Sequence, residues 1–510
     1  MGQNAPMQTI IWAGVTLTDA FSKPQAGCAV CVEGNRIVDV GPRSELVARY
    51  PDATQIGGDQ YVLTPSFTNS HDHGRGLGTF SLGTPDDLLE IWLPGLYSQP
   101  AVDPYLLSLW EGIQLLHAGV TLTAHSHNPQ NWLAMEQEAA AVLRGYGDAG
   151  IRTAFHPPLV DQNPLIYADR AGFLAGLPST TVEAAQRFLG KNPLSHADYY
   201  ALCDRLYTRY HDATHHTVHI QISPAGGQWC SDELILGAVE FAQSHQTRVQ
   251  MHMLETAYQR YYAWQRWGKS FIAHLEEIGA LGSWLTLAHM IWTEPEDLAL
   301  LQANGVGIAH NPSSNLRLRS GVAPIPAYLE HGIALGIGLD GQTLDDDQDY
   351  LRELRLAWTL ANRPGATTPT ISAAQIFHLG TRSGATITYG PNVHLGVLEA
   401  GALADLLLID YAAARYPWSA PTVPVIDLLL RKANRQHVRH VMRGGEWVIQ
   451  EGHTVRVNEE EVAAALADQL QHYDAEELVR RNAAAATLAP YLRRFYAAWE
   501  SDPRQREMFF

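Results

Sequence analysis

Six widely separated residues have the right types to share one reaction centre. They are His71 and His73 in YVLTPSFTNSHDHGRGLG, His252 and Glu255 in MHMLET, His289 in LAHMI and Asp340 in GLDG. In an extended strand, residues two apart point to the same side. His71 and His73 therefore present two imidazoles to one site while Asp72 faces away. The others each close a short apolar run, where a single polar side chain would be ordinary. Together, three imidazoles and a carboxylate form a donor set for zinc or iron(II). Such a set leaves one coordination position open for water, which marks a catalytic rather than a structural site.

Such residues can meet only if the elements carrying them end at one place. Residues 1 to about 62 read as short strands with turns at Gly14, Gly34-Asn35 and Gly41-Pro42. Beyond them, apolar runs at 67–73, 120–127, 151–159, 217–225, 248–254, 284–291, 305–312 and 333–340 alternate with helical stretches, among them 101–118, 131–146 and 231–245. Eight strands alternating with helices predict an α/β fold, a parallel (β/α)8 TIM-type barrel with its active site at the carboxyl ends of the strands. The six residues fall at the ends of strands one, five, six and eight. Residues 396–411 and 437–452 return to strand and turn, so both chain ends are expected to join one small β-sandwich. The last 55 or so residues read as two helices rich in Ala and Leu, packing on the barrel or a partner subunit. The expected division is 1–62 (sandwich, first part), 63–392 (barrel), 393–455 (sandwich, second part) and 456–510 (helical extension). The long connection 161–202 is expected to wall or cover the pocket.

Composition narrows the function classes. The 510 residues are 46% hydrophobic and carry a formal charge of −18, without the clustered Lys and Arg that a nucleic-acid surface needs. No basic segment followed by an apolar one opens the sequence, and no run approaches the ~20 apolar residues that span a bilayer. The expectation is a cytoplasmic protein with a small-molecule substrate, no nucleic-acid or membrane partner, and a homo-oligomeric state of dimer or higher. Four cysteines make no disulfide framework. Cys28 and Cys31 lie three apart on a strand, hence on opposite sides, and read as packing residues.

The set His71-x-His73, His252-x-x-Glu255, His289 and Gly338-Leu-Asp340 resembles the amidohydrolase superfamily, in particular its branch of cytosine, guanine, adenosylhomocysteine and triazine aminohydrolases and chlorohydrolases. HNPSSNLRLRSGVAPI at 310–325 is similar to that branch's strand-seven loop, and EAGALADLLLID to its late sandwich strand. The resemblance runs from about residue 8 to about 455. It implies one divalent metal per chain, zinc first and iron(II) as the alternative, held by His71, His73, His252 and Asp340. It implies that Glu255 shuttles a proton from water to the substrate, that His289 polarises the attacked centre or steadies the nucleophile, and that Asp340 takes a second proton. A bound divalent ion lowers the pKa of its water towards ~7. Binuclear members bridge two metals with a strand-four lysine, and this strand reads VHIQISPA without one. The implied reaction is hydrolytic deamination of a purine, pyrimidine, pterin or triazine. Cleavage of an amide, urea or cyclic amide bond, dechlorination, and a non-catalytic scaffold are the alternatives.

Substrate contacts are expected from Asn315, Arg319, His125 and His156, each with a purely structural role as its competitor. Asp345-Asp346-Asp347 reads as a helix start, or as a contact for a cationic group. The aromatic run TAYQRYYAWQRW at 256–267 either stacks on a heterocycle or forms a buried helix face. Arg75 follows the histidine pair in a loop expected to wall the pocket. The long connection, His125, His127 and the helical tail depart from the superfamily's plainer pattern.

Overall fold

The computed structural model describes residues 8–189 and 193–500. Its central feature is eight parallel strands: Phe67–Asp72, Val120–Ser126, Arg152–His156, Val218–Ile220, Val249–Met253, Leu285–His289, Gly307–His310 and Leu335–Ile337. Each lies inside a run picked out by its hydrophobicity. They form two four-stranded parallel sheets rather than one continuously hydrogen-bonded circle. One seam between the sheets is crossed by the parallel bridges Ile222 to Val249 and Gly226 to His252. At the other, the Asp340 amide donates to the His71 carbonyl at 3.0 Å. That bond sets the end of the eighth strand against the end of the first.

Helices connect the strands and begin where the local chemistry dictates. Asp103 caps the helix Pro104–His117, accepting from the Tyr105 amide, with proline at the first helical position. Ser231 caps Asp232–Ser244 in the same way. Met135–Ala149 ends at Gly150, whose φ of 95° suits only glycine comfortably. Asp345, Asp346 and Asp347 do not open a helix; that role falls to Asp349, which caps Tyr350–Leu360, while the three aspartates pair with Arg352 and Arg317.

Both chain ends meet in one eight-stranded sheet. Its pivot is Thr54–Pro65, parallel to Thr9–Thr16 on one side and antiparallel to Leu406–Asp410 on the other. A shared apolar core, including Ile11, Val30, Leu63, Leu406 and Leu408, holds the two ends together. Cys28 and Cys31 are buried and free. The sheet is locked to the third parallel strand by a buried ion pair, Arg152 to Asp405, with both bonds at 2.9 Å.

The tail forms the helices Glu459–Gln471 and Ala475–Glu500. The second buries Leu488, Leu492, Tyr496 and Trp499 against the aromatic helix Ala257–Trp267, whose Tyr258 and Tyr261 meet Tyr496 and Trp499. Tyr258, Tyr261 and Tyr262 therefore form a buried helix face, while Trp264 of the same helix is exposed. Among the described residues, no helix is long and apolar enough to cross a membrane.

Candidate active site

His71, His252, His289 and Asp340 are all buried, and one donor atom from each lies within 4.8 Å of the others. His73 joins them: its Nε2 is 3.1 Å from His252 Nε2 and 3.1 Å from Asp340 Oδ1. The strand ends thus bring together the expected donors and place His289 among them as a fifth. Asp72 turns away, accepting from the amides of His73 and Gly74. His289 and Asp340 have φ of 75° and 57°, left-handed values that are strained for side-chain-bearing residues and tend to cluster at functional sites.

The fit of this cluster to a metal follows from the far side of each ring. His71 Nδ1 faces Gln250 Oε1 at 2.8 Å, and Gln250 is oriented by donating to the Ser70 carbonyl. His73 Nδ1 faces the Ser126 carbonyl at 2.7 Å, His252 Nδ1 the Ala225 carbonyl, and His289 Nδ1 the Asn315 side-chain oxygen at 2.9 Å. An acceptor at each Nδ1, at His289 the Asn315 oxygen being nearer than the Asn311 side-chain amide nitrogen at 3.3 Å, favours the proton there and leaves the Nε2 lone pairs aimed at the centre. Burial favours the neutral form of three of the rings. It pushes His73 down to about 3, helped by the Arg75 charge, His289 to about 4, and His252 well below the usual imidazole range. Lone pairs and a carboxylate 3.1 Å apart repel one another unless a cation sits between them. Neutral imidazoles with a carboxylate are the donor chemistry of zinc and its neighbours.

Glu255 lies beside the cluster, its Oε2 3.6 Å from His289 Nε2. Ser320 Oγ donates to its other oxygen at 3.3 Å, and its amide is held by Gln259. Burial, then the charges of Asp340 and Glu90, push its carboxyl well above the ordinary range, so it holds a proton readily. The centre opens onto a cavity of about 780 Å³ whose walls include Trp92, Leu93, Trp229 and Leu318.

The four expected substrate residues fall in different places. Asn315 is buried behind His289 and orients it. Arg319 points outward, 61% exposed, towards Asp87. His125 borders the cavity, but its nitrogens are engaged by the Tyr146 hydroxyl at 2.9 Å and His127 at 3.2 Å. His127 continues to Glu138 at 3.0 Å, and Glu138 also accepts from the amides of Gln130 and Asn131. His156 is fully buried and faces Gln221 and the His125 carbonyl. His125 and His156 at strand ends, and Asn315 and Arg319 in the loop after strand seven, had suggested pocket contact; of the four, His125 is the one that lines the cavity.

Residues not singled out from the sequence also shape the site. Gln250 stands two before His252 on one strand, an alternation that would have revealed it. Glu477, Arg481 and Ala484 bring the tail to the cavity, as Asp161, Arg170 and Phe188 bring the long connection. Nothing in a helical repeat announces such an arrival.

The amidohydrolase family profile matches residues 62–448, and a bacterial imidazolonepropionase-like composite domain matches residues 29–53. The chain belongs to the amidohydrolase family and is a metal-dependent hydrolase. A 5-methylthioadenosine/S-adenosylhomocysteine deaminase of Thermococcus kodakarensis is 28% identical over 430 residues, 82% of this chain and 88% of its own. A 5'-deoxyadenosine deaminase of Methanopyrus kandleri is 25% identical over 464 residues, 89% of this chain and 97% of its own. The crystal structure of an adenosine deaminase from Xanthomonas campestris with bound zinc superposes with a TM-score of 0.77 at 21% identity, covering 92% of this chain and 99% of that one. That likeness gives the fold its type, a TIM-type barrel of mixed α/β content.

Proposed function

We propose that this protein deaminates an aminated N-heterocycle by hydrolysis, using one divalent metal, zinc before iron(II), held by His71, His73, His252 and Asp340. The convergence of four outward-protonated imidazoles on Asp340, with Glu255 alongside, carries the reading; the deaminase relatives support it. When bound, the ion supplies an acidified water as nucleophile. Glu255 removes a proton from the water and delivers it to a ring nitrogen, the task its raised proton affinity suits. His289 Nε2 carries no proton, so it steadies the nucleophile by accepting rather than polarising the substrate by donating. Asp340 takes the second proton from the added hydroxyl and passes it to the amino group, so the carbon–nitrogen bond breaks, the carbonyl forms and ammonia leaves. Trp92 and Trp229 in the cavity wall offer flat faces to a ring.

The same reading includes a closed barrel over 63–392, a sandwich from 1–62 and 393–455, a helical extension from 456, a cytoplasmic location, a homo-oligomeric state and no nucleic-acid partner. Light scattering of the purified protein tests the assembly.

Elemental analysis combined with ammonia release from aminopurines, aminopyrimidines, pterins and triazines tests the chemistry. About one zinc or iron per chain with ammonia released is expected. One metal without ammonia from any compound transfers the reading to amide, urea or halide hydrolysis, and absence of metal overturns it.

A further inference from the structure

Arg75 stands two residues after the histidine pair, in the cavity wall beside the metal centre. Its Nη1 donates to the Asp340 carbonyl at 3.0 Å and its Nη2 to Asn128 Oδ1 at 3.1 Å, with the guanidinium carbon 5.3 Å from the Trp92 ring centre. These partners are neutral. Among the described residues, no carboxylate oxygen lies within ion-pairing distance of Arg75, and its Nε is buried without an acceptor. A guanidinium has five N–H donors, and two are used.

A cation left unpaired in a partly buried site is costly, and proteins normally neutralise it. This chain has the means, with 53 acidic residues against 35 basic ones. It spends them on neighbouring arginines: Arg481 pairs with Glu477, Arg317 with Asp86 and Asp346, and Arg319 with Asp87. Arg170, on the same cavity wall, also has no ion pair among the described residues. The acids whose charges reach Arg75 through space are engaged elsewhere: Asp340 sits among the metal donors, Asp72 accepts from the Asn69 side chain and the amides of His73 and Gly74, and Glu255 handles protons. With no carboxylate in contact, the unused guanidinium donors of Arg75 are left for a ligand, and the cavity of about 780 Å³ has room for one.

We infer that Arg75 is a specificity-determining residue that binds an oxyanion, carboxylate or phosphate-type, carried by the heterocycle near its amino group. The nearness follows from the bond of Arg75 to the main chain of Asp340, itself a donor of the centre. The guanidinium fork matches a planar or tetrahedral oxyanion with paired hydrogen bonds, which a neutral amide cannot match. The inference rests on the deaminase reading for its site, and the experiment separates the two.

The metal-loaded protein is titrated by calorimetry with pyrimidine-5-carboxylate, pyrimidin-5-ylphosphonate and pyrimidine-5-carboxamide, which lack a leaving amino group and are inert. One oxyanion is expected to bind about 10- to 100-fold tighter than the carboxamide, the range of charge-assisted hydrogen bonds. Whichever of the two does so identifies the anion. That ratio should collapse in Arg75→Gln and fall partway in Arg75→Lys, which keeps the charge and loses the fork; metal content and melting are checked in each. If Arg75→Gln does not fold, the partial loss in Arg75→Lys decides. Equal binding of carboxamide and oxyanions, a ratio that survives the substitutions, or no oxyanion binding at millimolar concentration overturns the inference. Ammonia release from the 4-amino counterparts is scored separately. Selective, Arg75-dependent binding without ammonia would sink the deaminase reading and leave the role of Arg75 standing.

Discussion

His289 Nδ1 donates to the side-chain oxygen of Asn315 at 2.9 Å, and this bond decides which ring nitrogen faces the reaction centre. Asn315 sits in the short helix Pro312–Arg317, just after the seventh strand, and is almost fully buried. It acts on the chemistry through His289 rather than by touching substrate. Asn315→Leu keeps the volume and removes the acceptor. Turnover is expected to fall about 10- to 100-fold, the usual cost of losing a partner behind a metal-site histidine. The drop should appear in kcat more than KM, measured at saturating metal.

Glu255 and His73 separate proton transfer from metal binding. Glu255→Gln should keep the metal and lose about 10²- to 10⁴-fold in rate, the worth of a general acid-base. His73→Ala should lose metal as well as rate, because its Nε2 faces both His252 and Asp340. Elemental analysis beside the ammonia assay distinguishes them. Full activity in Glu255→Gln, or unchanged metal in His73→Ala, would refute the respective assignment.

Glu90 should give stability a pH dependence. Fully buried, it accepts from the Thr256 hydroxyl at 2.6 Å and the Tyr167 hydroxyl at 3.0 Å, so it ties the long connection to the residue beside Glu255. Burial pushes its carboxyl from 4.5 up to about 7. Below pH 4.5 it is protonated folded or unfolded and contributes no pH dependence. As pH rises from there to about 7, the unfolded chain ionises first and the native state loses up to roughly 3 kcal/mol, at 1.36 kcal/mol per unit. Glu90→Gln should flatten the melting-temperature profile between pH 5 and 8. An unchanged slope would show that Glu90 does not titrate there.

Arg152 and Asp405 join the end-domain sheet to the third parallel strand, and both side chains are buried. Burial opposes ionisation of Asp405, but the Arg152 charge and hydrogen bonds outweigh it and hold the carboxyl below the usual range. That stability is present above the unfolded carboxyl pKa and is lost as pH falls through the folded one. Arg152→Met strands the carboxylate and should cost about 3–5 kcal/mol in denaturant unfolding. Adding Asp405→Leu should recover part of the loss. A single mutant as stable as the parent would contradict the coupling.

Strand-level readings succeeded where a residue's direction follows from its own element. His71 and His73 share a side because strand alternation has period two, and each of the eight parallel strands lies inside an apolar run bounded by turns. Glu255 was visible beside His252 because three residues past a strand histidine the chain is just leaving the sheet. For the expected substrate residues the outcome turns on other elements. His125 is at a strand end, as expected, yet whether its nitrogens are free depends on Tyr146, from the helix Met135–Ala149, and on His127, which in turn pairs with Glu138 of that helix.

From sequence alone came the donor set, its order along the strands, the alternating architecture and the joining of both ends, because each is written in local periodicity and residue type. Only the tertiary structure decided that Asn315 serves His289, that Arg75 has no carboxylate in contact among the described residues, and that the tail helix Ala475–Glu500 reaches the pocket. These depend on which distant elements pack together. A hydrogen bond or an ion pair is a distance between two side chains, and no spacing along one strand contains it.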